Sequence, residues 1–344
     1  MKLIIQIPCY NEAATLAAAL AELPRTVEGF QEVEWLIIND GSTDATVEVA
    51  RRGGVDHVVS FKRNQGLARA FVAGLRACLE LGADVIVNTD ADNQYCAADI
   101  PALTAPVLSG RADIVIGTRP ISSIRHFSAL KKALQALGSA VVRAVSGTSV
   151  EDAPSGFRAI SRDAAMKLHV FNDYTYTLET IIQAGRKNMV VQSVPVGVNP
   201  ELRPSRLVKS LPAYVKRSIL TMARIFVVYR PFRFFMTIGA VVFGIGTLIG
   251  IRFLWYLAIG SGQGHVQSLI LMSILMGIGF QTMLTAFLAD LLAVNRTLLE
   301  DIEFRAWRSQ DMRQRPPIGG SRKRRRSGKT RAEAEAPGRN SRRS

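Results

Sequence analysis

The chain is short of the residues that clamp folds covalently or build nitrogen- and sulfur-based metal sites. It has three cysteines in 344 residues, Cys9, Cys78 and Cys96, with no C-x-x-C spacing. A disulfide framework is therefore not expected, and the composition suits a reducing compartment. The four histidines, His57, His126, His169 and His265, are too scattered to read as a zinc site. The opening run Met1–Ile5 is too short to serve as a signal peptide. Acidic residues are scarce after position 200, and that scarcity is what makes the chain basic.

The formal net charge is +15, unevenly placed. Residues 1–199 carry 19 Lys+Arg against 20 Asp+Glu, a nearly neutral body, whereas residues 200–233 carry 8 against 1. Residues 234–304 carry 2 against 4, and residues 305–344 carry 14 against 3. Positive charge thus flanks an almost uncharged stretch. Within that stretch, residues 234–259 run for 26 positions interrupted only by Arg252, and residues 266–289 run for 24 with no charge. At about 1.5 Å per residue, each exceeds a hydrocarbon core of roughly 30 Å, so both read as transmembrane helices. The link 260–265 has no Lys or Arg, which places both termini on the cytoplasmic side.

Before that stretch, short apolar runs alternate with helical spacing. Leu3–Ile7, Trp35–Ile38, Val55–Ser60, Val85–Asn88 and Ile114–Ile116 read as buried strands. Ala13–Leu23, Thr43–Arg52, Leu67–Leu81 and Ala97–Leu108 read as helices. Such alternation predicts an α/β fold with a mostly parallel sheet, whose ligands bind outside the carboxyl ends of the strands. Residues 1–200 form the expected catalytic unit. Residues 201–233, basic and apolar at helical spacing, are expected to lie in the membrane interface. Residues 234–295 form the two-helix membrane domain, and 305–344 a disordered basic tail. The run RKRRR at 322–326 reads as a polybasic attraction to anionic lipid rather than as a nucleic-acid site.

Four polar stretches end or follow the predicted strands: IPCYNE (7–12), NDGSTD (39–44), TDADNQ (89–94) and GTR (117–119). In a parallel sheet they gather at one rim. NDGSTD is also an ordinary turn and helix start, with Ser42 or Thr43 as the cap. Alternate residues of an extended segment point the same way, so Asp90 and Asp92 can converge on one hard cation, with Gln94 adding oxygen. No His or Cys ligand lies in this stretch, which favours Mg2+ or Mn2+. Downstream, Asp152 precedes a Pro-Ser-Gly turn, where it can act as a base or orient an acceptor. Arg203 and Arg206, entering the interfacial segment, are suited to a phosphate of lipid or nucleotide.

With NQGLARAFVAGL (64–75), SGFRA (155–159), Glu179 and the two C-terminal spans, these motifs form an ordered set over roughly residues 1–295. The chain resembles GT-A-fold (Rossmann-like) family 2 glycosyltransferases of the dolichol-phosphate mannosyltransferase or polyprenyl-phosphate glycosyltransferase type. The Q-x-x-R-W motif of processive polysaccharide synthases is absent. The resemblance implies a nucleotide-sugar pocket from Pro8, Tyr10, Asn11, Glu12, Asp40 and Ser42, with Asp90 and Ala91. It implies metal ligation by Asp90, Asp92 and Gln94, and acceptor-phosphate contacts from Arg119, Lys131 and Arg158.

The expected activity is inverting, metal-dependent transfer of a sugar from a nucleoside diphosphate sugar to polyprenyl phosphate. Asp152, Arg119 and Lys131 would serve the reaction. The alternatives are transfer to a lipid hydroxyl, or a non-catalytic membrane interaction protein that keeps a transferase fold. The expected location is the cytoplasmic membrane, multi-pass, with catalytic domain and tail cytoplasmic. The sugar, the nucleobase and the choice between monomer and homo-oligomer are left open.

Overall fold

The computed structural model describes residues 1–120, 138–140, 142–170, 176–200, 220, 224, 227–260 and 266–314. Lys131, Arg203, Arg206 and the run at 322–326 lie outside the described residues, as does most of the segment expected at the interface.

Seven strands form one sheet: β1 (Lys2–Cys9), β2 (Glu32–Asn39), β3 (His57–Ser60), β4 (Val85–Asn88), β5 (Ile114–Thr118), β6 (Arg158–Ser161) and β7 (Val191–Pro195). Their order is β3-β2-β1-β4-β6-β5-β7. All neighbours pair in parallel except β6, which runs antiparallel to both β4 and β5. The strands read from apolar runs are present, and the sheet is mostly parallel as expected. β6 and β7 were not read from the sequence. Both are short, and β6 is the reversed strand that a βαβ alternation does not announce.

Helices cover both faces. Leu3, Ile5 and Ile7 of β1 point into one core with Trp35, Ile37, Val85, Val87 and Phe157. Ile4 points into the other with Leu36, Ile38, Phe71, Ile86 and Tyr176. Central strands buried on both sides need this continuous apolar sequence. The covering helices are α1 (Leu16–Glu22), α2 (Thr46–Arg52), α3 (Leu67–Glu80), α4 (Ile100–Leu108), α5 (Arg162–Lys167) and α6 (Thr177–Arg186). In α3 the buried positions Ala68, Phe71, Leu75, Cys78 and Leu79 recur at the spacing of one helix face. α2 starts three residues later than expected, after Ala45, with no side-chain cap. Ser42 lies too far ahead of that start to cap it, and its hydroxyl accepts from the N–H of Asn11 at 3.0 Å.

Two long helices follow, α7 (Pro231–Ala258) and α8 (Val266–Gln314). Both are long and apolar enough to cross a membrane, and only 17% and 11% of their most apolar windows are buried. A core helix of that composition would be covered by protein; these present their apolar surface outward, as lipid contact requires. They pack on each other through small residues: a Cβ at Gly239 would lie 2.9 Å from the carbonyl of Gly279, and one at Gly279 would lie 2.6 Å from the nitrogen of Phe243.

α8 does not end where its apolar run ends. It continues for 49 residues in all and returns to the catalytic domain. Glu300 accepts from Arg296 Nε at 2.9 Å and pairs with Lys187 at 2.8 Å. Glu303 pairs with Arg76 and with His169 Nδ1, each at 3.3 Å. Phe304 and Trp307 pack against the core that holds Leu75, Leu79 and Met166. The positions 296, 300, 303 and 307 share one helix face, so α8 is held along a continuous line.

Candidate active site

β1, β2, β4 and β5 all point the same way, so their carboxyl ends form one rim. β6 runs the other way and begins there, bringing the turn 153–157 to the same rim. Asn88 pairs with Arg158 across β4 and β6. The four polar stretches and SGFR are thus brought together as topology demands.

Two of the loops are stitched to each other. Asn11 has φ +54°, and its Oδ1 accepts from the N–H of Thr43 at 2.8 Å. The N–H of Glu12 donates to Thr46 Oγ1 at 2.9 Å, and the N–H of Ala13 to Asp44 Oδ2 at 3.1 Å. Pro8 and Glu12 are buried, while Tyr10 is 43% exposed at the mouth. Asp40 is buried, and its carboxylate is engaged: it accepts from Gln65 N at 2.6 Å, Gly66 N at 2.9 Å and Asn64 Nδ2 at 3.0 Å. The carboxylate therefore organises the loop that begins α3, in addition to any contact it makes with a ligand.

The stretch TDADNQ departs from the expected geometry. β4 ends at Asn88, and Ala91 and Asp92 lie in a turn that closes on Asn93 at φ +58°. The convergence of Asp90 and Asp92 comes from this turn, not from strand alternation. Asp92 Oδ1 accepts from the N–H of Gln94 at 3.2 Å, and Ala91 is buried beneath the turn. Asn93 is held by Glu22 Oε1 at 2.8 Å. Burial, then the charge of Asp92, raises the Asp90 carboxyl to about 7, with Glu12 adding to the effect and Arg119 and Arg158 opposing it. Two carboxylates and two guanidiniums therefore share one electrostatic neighbourhood with Glu12.

Arg119 and Asp152 form a buried ion pair. Arg119 Nε lies 2.7 Å from Asp152 Oδ2, and Nη2 lies 3.0 Å from Oδ1. Asp152, read as a base or an orienting group, is fully buried with both oxygens in the guanidinium fork. That arrangement fits an orienting group. Arg158 was read as a phosphate contact, but it is wholly buried and turned inward. Its guanidinium donates to Ser155 O at 2.8 Å, Ala153 O at 2.9 Å and Thr180 Oγ1 at 2.5 Å, bracing the turn before β6. Its three nitrogens are consumed by the protein, so the phosphate reading gives way to a structural one.

The site also rests on residues that the sequence reading passed over. Gln6 Nε2 donates to Asn88 Oδ1 at 2.9 Å, and Asn88 Nδ2 donates to Gly156 O and Tyr176 Oη, each at 2.8 Å. Tyr176 stacks on Phe71 with ring centroids 3.8 Å apart, and Tyr95 stacks on Phe157 at 5.1 Å. Tyr95 Oη accepts from the N–H of Gly156 at 2.9 Å. Gly156 brings the backbone close against Asp90: a Cβ there would meet both Asp90 oxygens at 3.1 Å and Tyr176 Oη at 3.0 Å. Gln6 and Asn88, polar residues inside apolar strands, were the signal that could have disclosed this network.

Among the described residues, no three of Asp, Glu, His and Cys converge as a metal cage. Two carboxylates without nitrogen or sulfur donors do not suit structural zinc. They do suit a hard cation that keeps several waters and takes its other oxygens from a diphosphate, as Mg2+ does.

The family model for glycosyl transferase family 2 matches residues 4–168. An undecaprenyl-phosphate mannosyltransferase of Micrococcus luteus is 30% identical over 218 residues, spanning 60% of this chain and 88% of that protein. A polyprenol monophosphomannose synthase of Mycolicibacterium smegmatis is 26% identical over 204 residues, spanning 56% and 76%. Among solved structures, glucosyl-3-phosphoglycerate synthase of Mycobacterium tuberculosis superposes with a TM-score of 0.51 at 22% identity, over 65% of this chain and 79% of that one. That likeness concerns the fold.

Proposed function

The chain belongs to glycosyltransferase family 2, and from that premise we propose that it transfers a sugar from a nucleoside diphosphate sugar to the phosphate of a membrane polyprenol, with inversion at the anomeric carbon. One observation carries the reading. A rim that gathers Asp90, Asp92, Glu12 and Arg119 stands on the same chain as two unburied apolar helices. Such an enzyme meets a water-soluble donor and a lipid acceptor, and relatives named for polyprenyl-phosphate acceptors support it.

In this reading an acceptor phosphate oxygen attacks the anomeric carbon, the bond to the diphosphate breaks, and the nucleoside diphosphate leaves. A phosphomonoester is largely dianionic at neutral pH, so the attack needs little general base. That agrees with Asp152, whose carboxylate is locked to Arg119. The work of the site is to hold two anions together and to stabilise the leaving group. Pro8, Tyr10, Asn11, Glu12, Asp40, Ser42 and Ala91 line the donor side. Arg119 presents the remainder of its guanidinium to the acceptor, with Lys131, Arg203 and Arg206 as further cations. Asp90 and Asp92, with Gln94, would hold a divalent cation, Mg2+ or Mn2+, and such a cation would supply positive charge for a leaving diphosphate.

Approach to the membrane is also provided for. Asn199 N donates to Gln94 O at 2.9 Å, so residue 199, four before Arg203 in the sequence, lies beside the DAD turn. The Lys/Arg asymmetry supports a topology with both termini on the cytoplasmic face, which a reporter fused after Ser344 tests.

The deciding experiment incubates full-length protein in detergent with a panel of radiolabelled sugar nucleotides. The acceptors are polyprenyl phosphate, the unphosphorylated polyprenol and diacylglycerol. Transfer to the phosphate alone is expected. Transfer to either hydroxyl acceptor would assign the enzyme to glycolipid synthesis instead.

A further inference from the structure

We propose that Glu22 is a positioning residue for the cation turn: its one carboxylate ties Asn93 of that turn to Asn199 of the segment that leads on to Arg203 and Arg206. The inference rests on the reading of Asp90, Asp92 and Gln94 as cation ligands. Glu22 Oε1 accepts from Asn93 Nδ2 and Oε2 from Asn199 Nδ2, each at 2.8 Å. Three stretches far apart in the sequence are thereby joined through a single side chain.

Helix stability does not account for an acid at this position. Glu22 is the last residue of α1, and the final turn holds no basic residue. A carboxylate there opposes the helix dipole. The two amides do account for it. A carboxylate accepts through both oxygens and donates through neither, which matches two amide N–H2 groups.

Asn93 is where this clamp acts on the cation ligands. It sits between Asp92 and Gln94 with φ +58° and is only 9% exposed. Without Glu22, that buried amide loses the acceptor that fixes its orientation. The second arm is reinforced by backbone contacts. Asn199 N donates to Gln94 O at 2.9 Å and Cys96 N to Gly197 O at 3.3 Å, with Tyr95 and Val198 bridged antiparallel. Gly197 N donates to Asp99 Oδ2 at 2.6 Å. The stretch 197–199 therefore lies antiparallel along 94–96, and Glu22 fastens its end to the turn. Cation ligands are oriented by the groups that hold them, and here one such group is a neighbour of Asn93 rather than of the ligands themselves.

The test follows Mn2+ binding to the full chain in detergent, with UDP or GDP present, by loss of the free-ion EPR signal. Glu22→Ala should bind Mn2+ about tenfold more weakly than the unaltered protein, the size of one charge-assisted hydrogen bond. Raised Mn2+ should still fill the variant to the same stoichiometry, which a misfolded site would not allow. Glu22→Gln removes the same charge but keeps an oxygen for Asn93 and an N–H2 for the Asn199 side-chain carbonyl, with that amide turned over. It should stay within about threefold of the unaltered protein. Asn199→Ala removes one arm and should cost about threefold. If Glu22→Ala fails to fold, Asn199→Ala decides, and unchanged binding there overturns the proposal. Equal binding by Glu22→Ala and the unaltered protein would also overturn it. So would a Glu22→Gln as weak as Glu22→Ala, since charge alone would then be at work. No Mn2+ binding by the unaltered protein would overturn the cation reading, and the proposal with it.

Discussion

Arg119 and Asp152 hold each other by two hydrogen bonds, 2.7 and 3.0 Å long, at a point where the carboxylate has no solvent exposure. Neither can be judged alone, because removing one strands the other as a buried, uncompensated charge. That loss costs about 3–5 kcal/mol. Arg119→Ala and Asp152→Ala should each lower the unfolding midpoint by about 10 °C, and the double replacement should cost less than their sum. An Arg119→Ala protein that melts with the wild type would remove the pair from the account.

Gly156→Ala offers a separate probe of Asp90. The added methyl meets both carboxylate oxygens at 3.1 Å and cannot swing away. Overpacking of this kind costs about 1–3 kcal/mol, so the fold should persist while the carboxylate shifts. We expect cation affinity, followed by Mn2+ titration, to fall at least about tenfold. An unchanged titration would mean that Asp90 has room to spare.

Loss of Asp92, a proposed cation ligand, should act more severely. Asp92→Asn keeps the volume and removes a charge. Turnover with a sugar nucleotide and polyprenyl phosphate should drop by at least about a hundredfold, equivalent to some 2.7 kcal/mol. EDTA should abolish wild-type activity, and Mn2+ or Mg2+ should restore it. Full activity of Asp92→Asn in EDTA would dismiss the metal.

Glu300 sets a pH dependence for the seat of α8. Burial works to raise its carboxyl, but hydrogen bonds and charge from Lys187 and Arg296 outweigh it and lower it from the ordinary value. A depressed folded value means that the contribution is complete at neutral pH. It is lost as the pH falls below the unfolded value of about 4.3. Protection of the amides along residues 296–307, relative to their intrinsic exchange rate at each pH, should therefore be high at pH 7 and fall as the pH drops below about 4. Glu300→Gln should show low protection at both, and unchanged protection in the variant at pH 7 would show that these ion pairs do not seat the helix.

Much of the fold was legible because apolar runs and turns alternate with a regular beat. Val85–Val87 and Ile114–Ile116 are buried on both faces and apolar throughout. β6 escaped because four residues, Arg158–Ser161, carry too little pattern and start from an arginine. That arginine misled for the same reason. A guanidinium in a glycosyltransferase motif reads as a phosphate ligand, and only packing reveals Ser155, Ala153 and Thr180 around it. The rim was predictable from strand direction, whereas its internal bracing was not. Tyr176 reaches Asn88 across 88 residues of sequence, and no spacing rule connects them. The extension of α8 was hidden by its polarity, since Arg296, Glu300 and Glu303 look like the beginning of a solvated tail until their partners on α3, α6 and the neighbouring turns are known.

Because α8 passes from the bilayer to the catalytic domain as one unbroken helix, it behaves as a gauge of height. A flexible tether would let the domain float at any distance from the headgroups. A helix pinned at Glu300 and Glu303 at one end and apolar enough to cross a bilayer at the other limits that distance. Bilayer thickness then becomes a variable of the molecule: a thicker membrane draws the helix upright and shifts the height of the rim relative to the headgroup plane.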